Sequence, residues 1–189
     1  PTVWPSVPWR SAMRRNAAPP EDYGRLLRRR WLTLAALAAA LAMILSFVES
    51  QIPAFVAIPG VKVGLANIAV VFVLYKLGWK EAIAISLIRV FVVSVLFGTA
   101  VSLFYSVAGA VLSLTGMVLL KKTGLFSTVA VSVTGGVLHN VGQIAMACFL
   151  LETNVIKYYL PFLIVSGVIA GIVIGIIAAI MVKRVNVEY

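Results

Sequence analysis

Acidic side chains, histidine and cysteine are nearly missing from this sequence. Its only aspartate is Asp22, its only histidine His139 and its only cysteine Cys148. With one aspartate, close to the N-terminus, there is no carboxylate pair in the apolar region to hold magnesium on a diphosphate. One histidine with no aspartate in that region argues against a Ser–His–Asp triad and against a histidine cluster for zinc. No glycine-rich loop runs into Lys and then Ser or Thr, so the chain is not expected to hydrolyse ATP itself. Cys148 lies inside an apolar run, can form no internal disulfide and reads as packing. We therefore expect no catalytic residue, no metal and no cofactor here: the sequence does not read as an enzyme.

Charge is scarce as well, at 12% of residues against 62% hydrophobic, a balance that calls for lipid around the chain. The formal charge of +10 does not suggest a nucleic-acid partner, because Lys and Arg sit at the ends of apolar runs instead of along one helix face. What is abundant is long hydrophobic runs. They predict an all-α membrane protein, a bundle of six transmembrane helices at about 31–49, 62–77, 80–97, 101–120, 126–151 and 158–182. Pro53, Pro59 and Gly60, then Gly78, Gly98, Gly124 and the stretch from Glu152 to Lys157 mark the breaks. The second helix is short, which leaves open five spans with a re-entrant segment. At about 20 apolar residues per crossing, six crossings leave no room for a soluble catalytic domain.

Residues 1–24 differ in kind, with Pro1, Pro5, Pro8, Pro19 and Pro20 among scattered arginines. They are expected to be a disordered tail or, since the chain does not open on Met, a fragment's edge or an added segment; residues 25–189 form the membrane domain. The basic flank Arg25, Arg28, Arg29 and Arg30, the turns with Lys76 and Lys80 and with Lys121 and Lys122, and the end with Lys183 and Arg184 fall on one side of a six-span chain. The other side holds little beyond Lys62 and Lys157. Retained positive charge marks the cytoplasmic face, so both termini are expected inside, in the plasma membrane.

Small residues recur at helical spacing. Ala35, Ala36, Ala39 and Ala40, with Ala38 and Ala42, form a surface that another helix can approach, either within the chain or from a separate membrane subunit. Gly167, Gly171 and Gly175 form a groove for internal packing or for a second copy, and Ser102, Ser106, Gly109, Ser113 and Gly116 form a weakly polar stripe.

Polar residues inside apolar runs are costly and mark a pathway, a site or a pair. Glu49 ends the first helix, Lys62 and Asn67 begin the second, Arg89 lies midway along the third, and His139, Asn140 and Gln143 sit on the fifth. Most fall in the outer half of the bilayer or at its middle, so they are expected to line a polar cavity open to the outside. Glu49 equally suits an interfacial place or a structural pair with Lys62 or Arg89. His139, Asn140 and Gln143 are three and four residues apart and so share a helix face. Lys62 and Arg89 favour a polar or anionic small molecule, with Asn67, Asn140 and Gln143 giving directional hydrogen bonds.

The stretch Pro59-Gly60-Val61-Lys62-Val63-Gly64-Leu65-Ala66-Asn67-Ile68, Arg89 with Leu96-Phe97-Gly98-Thr99, and Val131-Ser132-Val133 to Gly135-Gly136 with His139-Asn140 and Gln143 together resemble the Gx transporter family. That family also carries the label heptaprenyl diphosphate synthase component I. The likeness covers roughly residues 31–182. It is similar in turn to the S components of energy-coupling factor transporters: six helices, an outward-facing site and an alanine motif that docks on a transmembrane coupling subunit driven by two ATPases. The resemblance implies docking through Ala35, Ala36, Ala39 and Ala40 and a site of Lys62, Asn67, Arg89, His139, Asn140 and Gln143, to which the residues' own pattern adds Glu49. Besides lipid, the implied partners are a small-molecule substrate and that coupling module. The label implies an alternative, a non-catalytic accessory subunit of isoprenoid synthesis or of a quinone- or flavin-linked redox system.

Overall fold

The computed structural model describes residues 23–51, 64–153 and 155–185. The chain divides into two units, residues 1–34 with Tyr189 and residues 35–188. The described residues form six α-helices and one 3-10 turn: α1 Tyr23–Gln51, α2 Asn67–Lys76, α3 Trp79–Phe97, α4 Ala100–Thr123, α5 Thr128–Leu150, the turn Val155–Tyr159 and α6 Leu160–Arg184. Four segments are long and apolar enough to cross a membrane, namely Gly24–Glu49, Ala100–Thr123, Thr128–Leu150 and Val155–Arg184. The described residues are thus helical without a strand, and the chain is a multi-pass membrane protein.

Two elements depart from the even set of six crossings. α2 has only 10 residues, which rise about 15 Å, half of a hydrocarbon core of about 30 Å. It begins at Asn67 instead of near 62, because residues 64–66 are occupied by a turn in which Gly64 takes φ +83°. α3 is 19 residues long but carries Lys80, Glu81 and Arg89. At the other extreme, α1 starts at Tyr23, eight residues before Trp31 and just inside the expected tail, whose residues 1–22 lie outside the described ones. Arginine is a good helix former, and its charge bars it from hydrocarbon, not from a helix.

α2 is apolar on every side and buried from Ile68 to Leu74, as an all-round hydrophobic helix must be. It packs on α3 and α6; α3 packs on α4, α4 on α5 and α5 on α6, so five helices close a ring. The main core gathers around Val70–Leu74 with Ala38 and Ala42 of α1, Ala82 and Ile85 of α3, Leu114 and Met117 of α4, Val131 of α5 and Ala178 of α6. These residues lie in the half of the bundle that carries the turns with Lys76, Lys80, Lys121 and Lys122.

Those lysines also hold that end together. The Lys121 ammonium donates to the carbonyl of Leu74 in the last turn of α2, where carbonyls lack partners within the helix, and stands 5.1 Å from the Tyr75 ring centroid. Lys80 and Lys122 lie 5.6 and 5.9 Å from the ring of Trp79. Between α2 and α3, Gly78 adopts φ +135°. A Cβ there would come 2.6 Å from Oε2 of Glu81. The carboxylate can swing aside but the backbone cannot, so Gly78→Ala should cost about 1–3 kcal/mol. A lowered thermal midpoint in detergent would show it; an unchanged midpoint would mean that the turn relaxes into an ordinary conformation.

The α5–α6 seam is built on glycine. A Cβ on Gly136 would meet the carbonyl oxygen of Gly167 at 2.6 Å, one on Gly171 the Cα of Val133 at 2.6 Å, and one on Gly175 the Cα of Val129 at 2.7 Å. The Gly167, Gly171 and Gly175 groove thus serves internal packing, with its partner positions 129, 133 and 136 spaced to face it.

Candidate functional site

Opposite the basic turns the bundle interior becomes polar. The last turns of α1 bring Ser46 and Glu49, one turn apart, to the inside, and Glu49 is only 6% exposed although it is a carboxylate. One of its oxygens accepts the backbone N–H of Gly64, at the turn that leads into α2. The carbonyl of Gly64 accepts the N–H of Asn67 at 2.8 Å and that of Leu65 accepts Ile68 at 3.1 Å, so the turn feeds straight into the helix. Glu49 therefore sits beside the positive end of α2, where a negative charge is favoured.

α3 supplies Arg89. The residue as a whole keeps partial accessibility, but its Nε is shut off from solvent and has no hydrogen-bond partner. Buried donors are rarely left so, and each needs a reason. Glu49 is the opposing charge that acts on this guanidinium.

α5 supplies His139 and Gln143, one turn apart. They approach α4 closely because position 109 is glycine: a Cβ there would lie 2.8 Å from the His139 carbonyl oxygen and 2.9 Å from Cγ of Gln143. Asn140 is turned away from this pair. It is buried, and its amide donates to the carbonyl of Leu163 at 2.6 Å, tying α5 to α6.

Glu49, Asn67, Arg89, His139 and Gln143 line one pit, joined by Ser46, Gly64, Ser94 and Ser106 and floored by Val90 and Val93. A second pit shares Gly64, Asn67 and His139 with it and continues between α5 and α6 past Asn140, Ser132 and Ser166. Of the residues expected from sequence, five come together, Asn140 lines the adjoining pit, and Lys62 lies outside the described residues. The first pit has room for only a few waters, so it accepts a functional group as it stands and a larger molecule only after widening. Among the described residues no three of His, Cys, Asp and Glu come together as a metal site.

Sequence reasoning missed Ser46, Gly64, Ser94 and Ser166. Their only signal is position: Ser46 lies one turn before Glu49, and Gly64 three residues before Asn67. The expected docking alanines sort by exposure. Ala38 and Ala42 are in the core and Ala39 packs against it, whereas Ala36 is exposed and Ala35 and Ala40 are half-buried.

A family model described as heptaprenyl diphosphate synthase component I matches residues 38–181. No curated protein and no solved structure matches the chain. The matched stretch takes in α2 to α5, all but the end of α6 and all the lining residues of the two pits. More than half the chain is covered, and the protein thus belongs to the heptaprenyl diphosphate synthase component I family.

Proposed function

We propose that the chain is the substrate-capturing membrane subunit of an uptake system, a six-span bundle of the plasma membrane with both termini in the cytoplasm. It does no chemistry, and separate coupling and ATPase subunits energise it. The observation that carries this reading is the gathering of Glu49, Asn67, Arg89, His139 and Gln143 into one pit, at the end of the bundle away from the basic turns. With positive charge retained inside, that end faces outward. α2 supports the same view, since a short helix that begins inside a membrane protein aims the positive end of its dipole at the polar interior. Mass spectrometry of small molecules retained through mild purification is the direct test: a preparation that reproducibly retains none, and gives no uptake with its gene neighbours, would sink capture.

Docking on a coupling subunit would use the outward side of α1. Ala36 is exposed there beside Leu37, which is 62% exposed, whereas Ala39 faces the core. Ala36→Trp is expected to abolish co-purification of the coupling subunit while leaving a monodisperse protein. Ala39→Trp should lower stability itself, by about 1–3 kcal/mol of overpacking. A coupling complex that survives Ala36→Trp would place the docking surface elsewhere.

The family's description favours a second reading, a non-catalytic membrane component that works beside a separate synthase subunit of isoprenoid metabolism. Affinity purification from native membranes separates the two: ATPases with a membrane coupling subunit support uptake, and a soluble prenyltransferase supports the accessory role.

A further inference from the structure

The pit carries a charge arrangement from which a ligand class follows, given the reading of the pit as a binding site. We infer that it recognises a paired-charge head group, an oxyanion on Arg89 beside a protonated amine on Glu49, so that the captured molecule is a zwitterion of the amino-acid type. The first support is Arg89. Its Nε is sealed from solvent and unpartnered, yet the residue lines the pit, and a guanidinium donor is best matched by carboxylate oxygen. The second is Glu49, which is buried and lines the same pit. One of its oxygens holds the Gly64 N–H, and a carboxylate offers about four lone-pair sites, so a ligand's donor can share it alongside the partners it has in the fold.

The third is balance. The described lining holds one fixed positive charge, Arg89, and one fixed negative charge, Glu49. The positive end of α2 is already met by the Glu49 carboxylate through Gly64. An anion or a cation would leave a net charge in a site of low dielectric, which is costly, whereas a zwitterion answers both groups and adds none. Size agrees: a pit with room for a few waters fits a carboxylate and an ammonium group, not a ring system.

The test is thermal unfolding of the full chain in lipid nanodiscs at fixed ionic strength, with free glycine, acetate or methylammonium at equal concentration. Free glycine is expected to raise the midpoint most. Arg89→Gln should lose the responses to acetate and glycine and keep that to methylammonium; Glu49→Gln should lose those to methylammonium and glycine and keep that to acetate. Glu49→Gln leaves an oxygen for the Gly64 N–H but takes the opposing charge from Arg89, so its midpoint without additive should fall, and monodisperse elution on size exclusion confirms that it folds. A larger response to acetate than to glycine would overturn the inference in favour of an anion site. No response to any probe, in a protein that still retains a native ligand through purification, would overturn the paired-charge class and leave capture standing. No response and no retained ligand would remove both.

Discussion

Gly136→Val is expected to leave little folded protein. A side chain at 136 would start with its Cβ 2.6 Å from the carbonyl oxygen of Gly167 and 3.4 Å from that residue's carbonyl carbon. Both obstacles are backbone, so no rotamer relieves the clash and α5 must move away from α6. In lipid such helices are held mainly by close packing, which a small separation forfeits along the whole seam, including the contacts at Gly171 and Gly175. The Asn140 bond to Leu163, 2.6 Å long on the same seam, would lengthen with it. Overpacking of a tight core costs about 1–3 kcal/mol and sometimes more. Here an immovable partner puts the effect at the upper end, about 3 kcal/mol or above. Ala145→Val, at an exposed position of the same helix, is the control and should be silent. Monodisperse yield on size exclusion and the thermal midpoint report the difference. If the two variants behave alike, α5 and α6 do not approach as closely as described.

The same seam shows what a sequence can and cannot tell. Glycines at 167, 171 and 175 announce a close approach, but spacing alone does not distinguish another helix of the chain from a second copy. The matching positions 129, 133 and 136 include two valines, whose β-branched side chains give no hint that their Cα atoms are what the glycines meet. Among the polar residues, Glu49, Asn67, Arg89, His139 and Gln143 were legible because each is too costly to face lipid, and an interior is the common solution for all five. Asn140 was not separable from them. Adjacent residues on a helix point about 100° apart, so His139 and Asn140 serve different neighbours, yet each is three or four residues from Gln143. Ser46, Ser94 and Ser166 carried no signal, since a serine in a helix can satisfy itself on the carbonyl a turn earlier and costs little wherever it points. The start of α1 was misread for a related reason: the sequence shows where hydrocarbon ends, and the helix continues through the arginines beyond it. The start of α2 depended on one backbone angle at Gly64, which composition does not reveal.

Arg89→Gln should weaken ligand binding more than any other change in the pit. In the wild type the guanidinium Nε is enclosed and unpartnered, with the Glu49 charge acting on the group. Replacing the guanidinium removes its desolvation penalty but leaves Glu49, 6% exposed, without its opposing charge, so stability should fall, by up to about 3–5 kcal/mol. Ligand binding should fall as well. Losing one partner of a buried, hydrogen-bonded charge contact costs about 2–5 kcal/mol, which weakens affinity by roughly thirty-fold to several thousand-fold. His139→Ala removes a contact at the junction of the two pits and should weaken binding by about 0.5–1.5 kcal/mol, roughly tenfold at most. The ranking therefore matters as much as the size. Quantifying the native small molecule that each variant retains through the same mild purification, beside its thermal midpoint, reads both quantities on one sample. An Arg89→Gln protein that melts early and keeps its ligand would make Arg89 a structural ion instead of a binding group. One that stays monodisperse and arrives empty, with His139→Ala in between, would identify the pit as the capture site and Arg89 as its principal anchor.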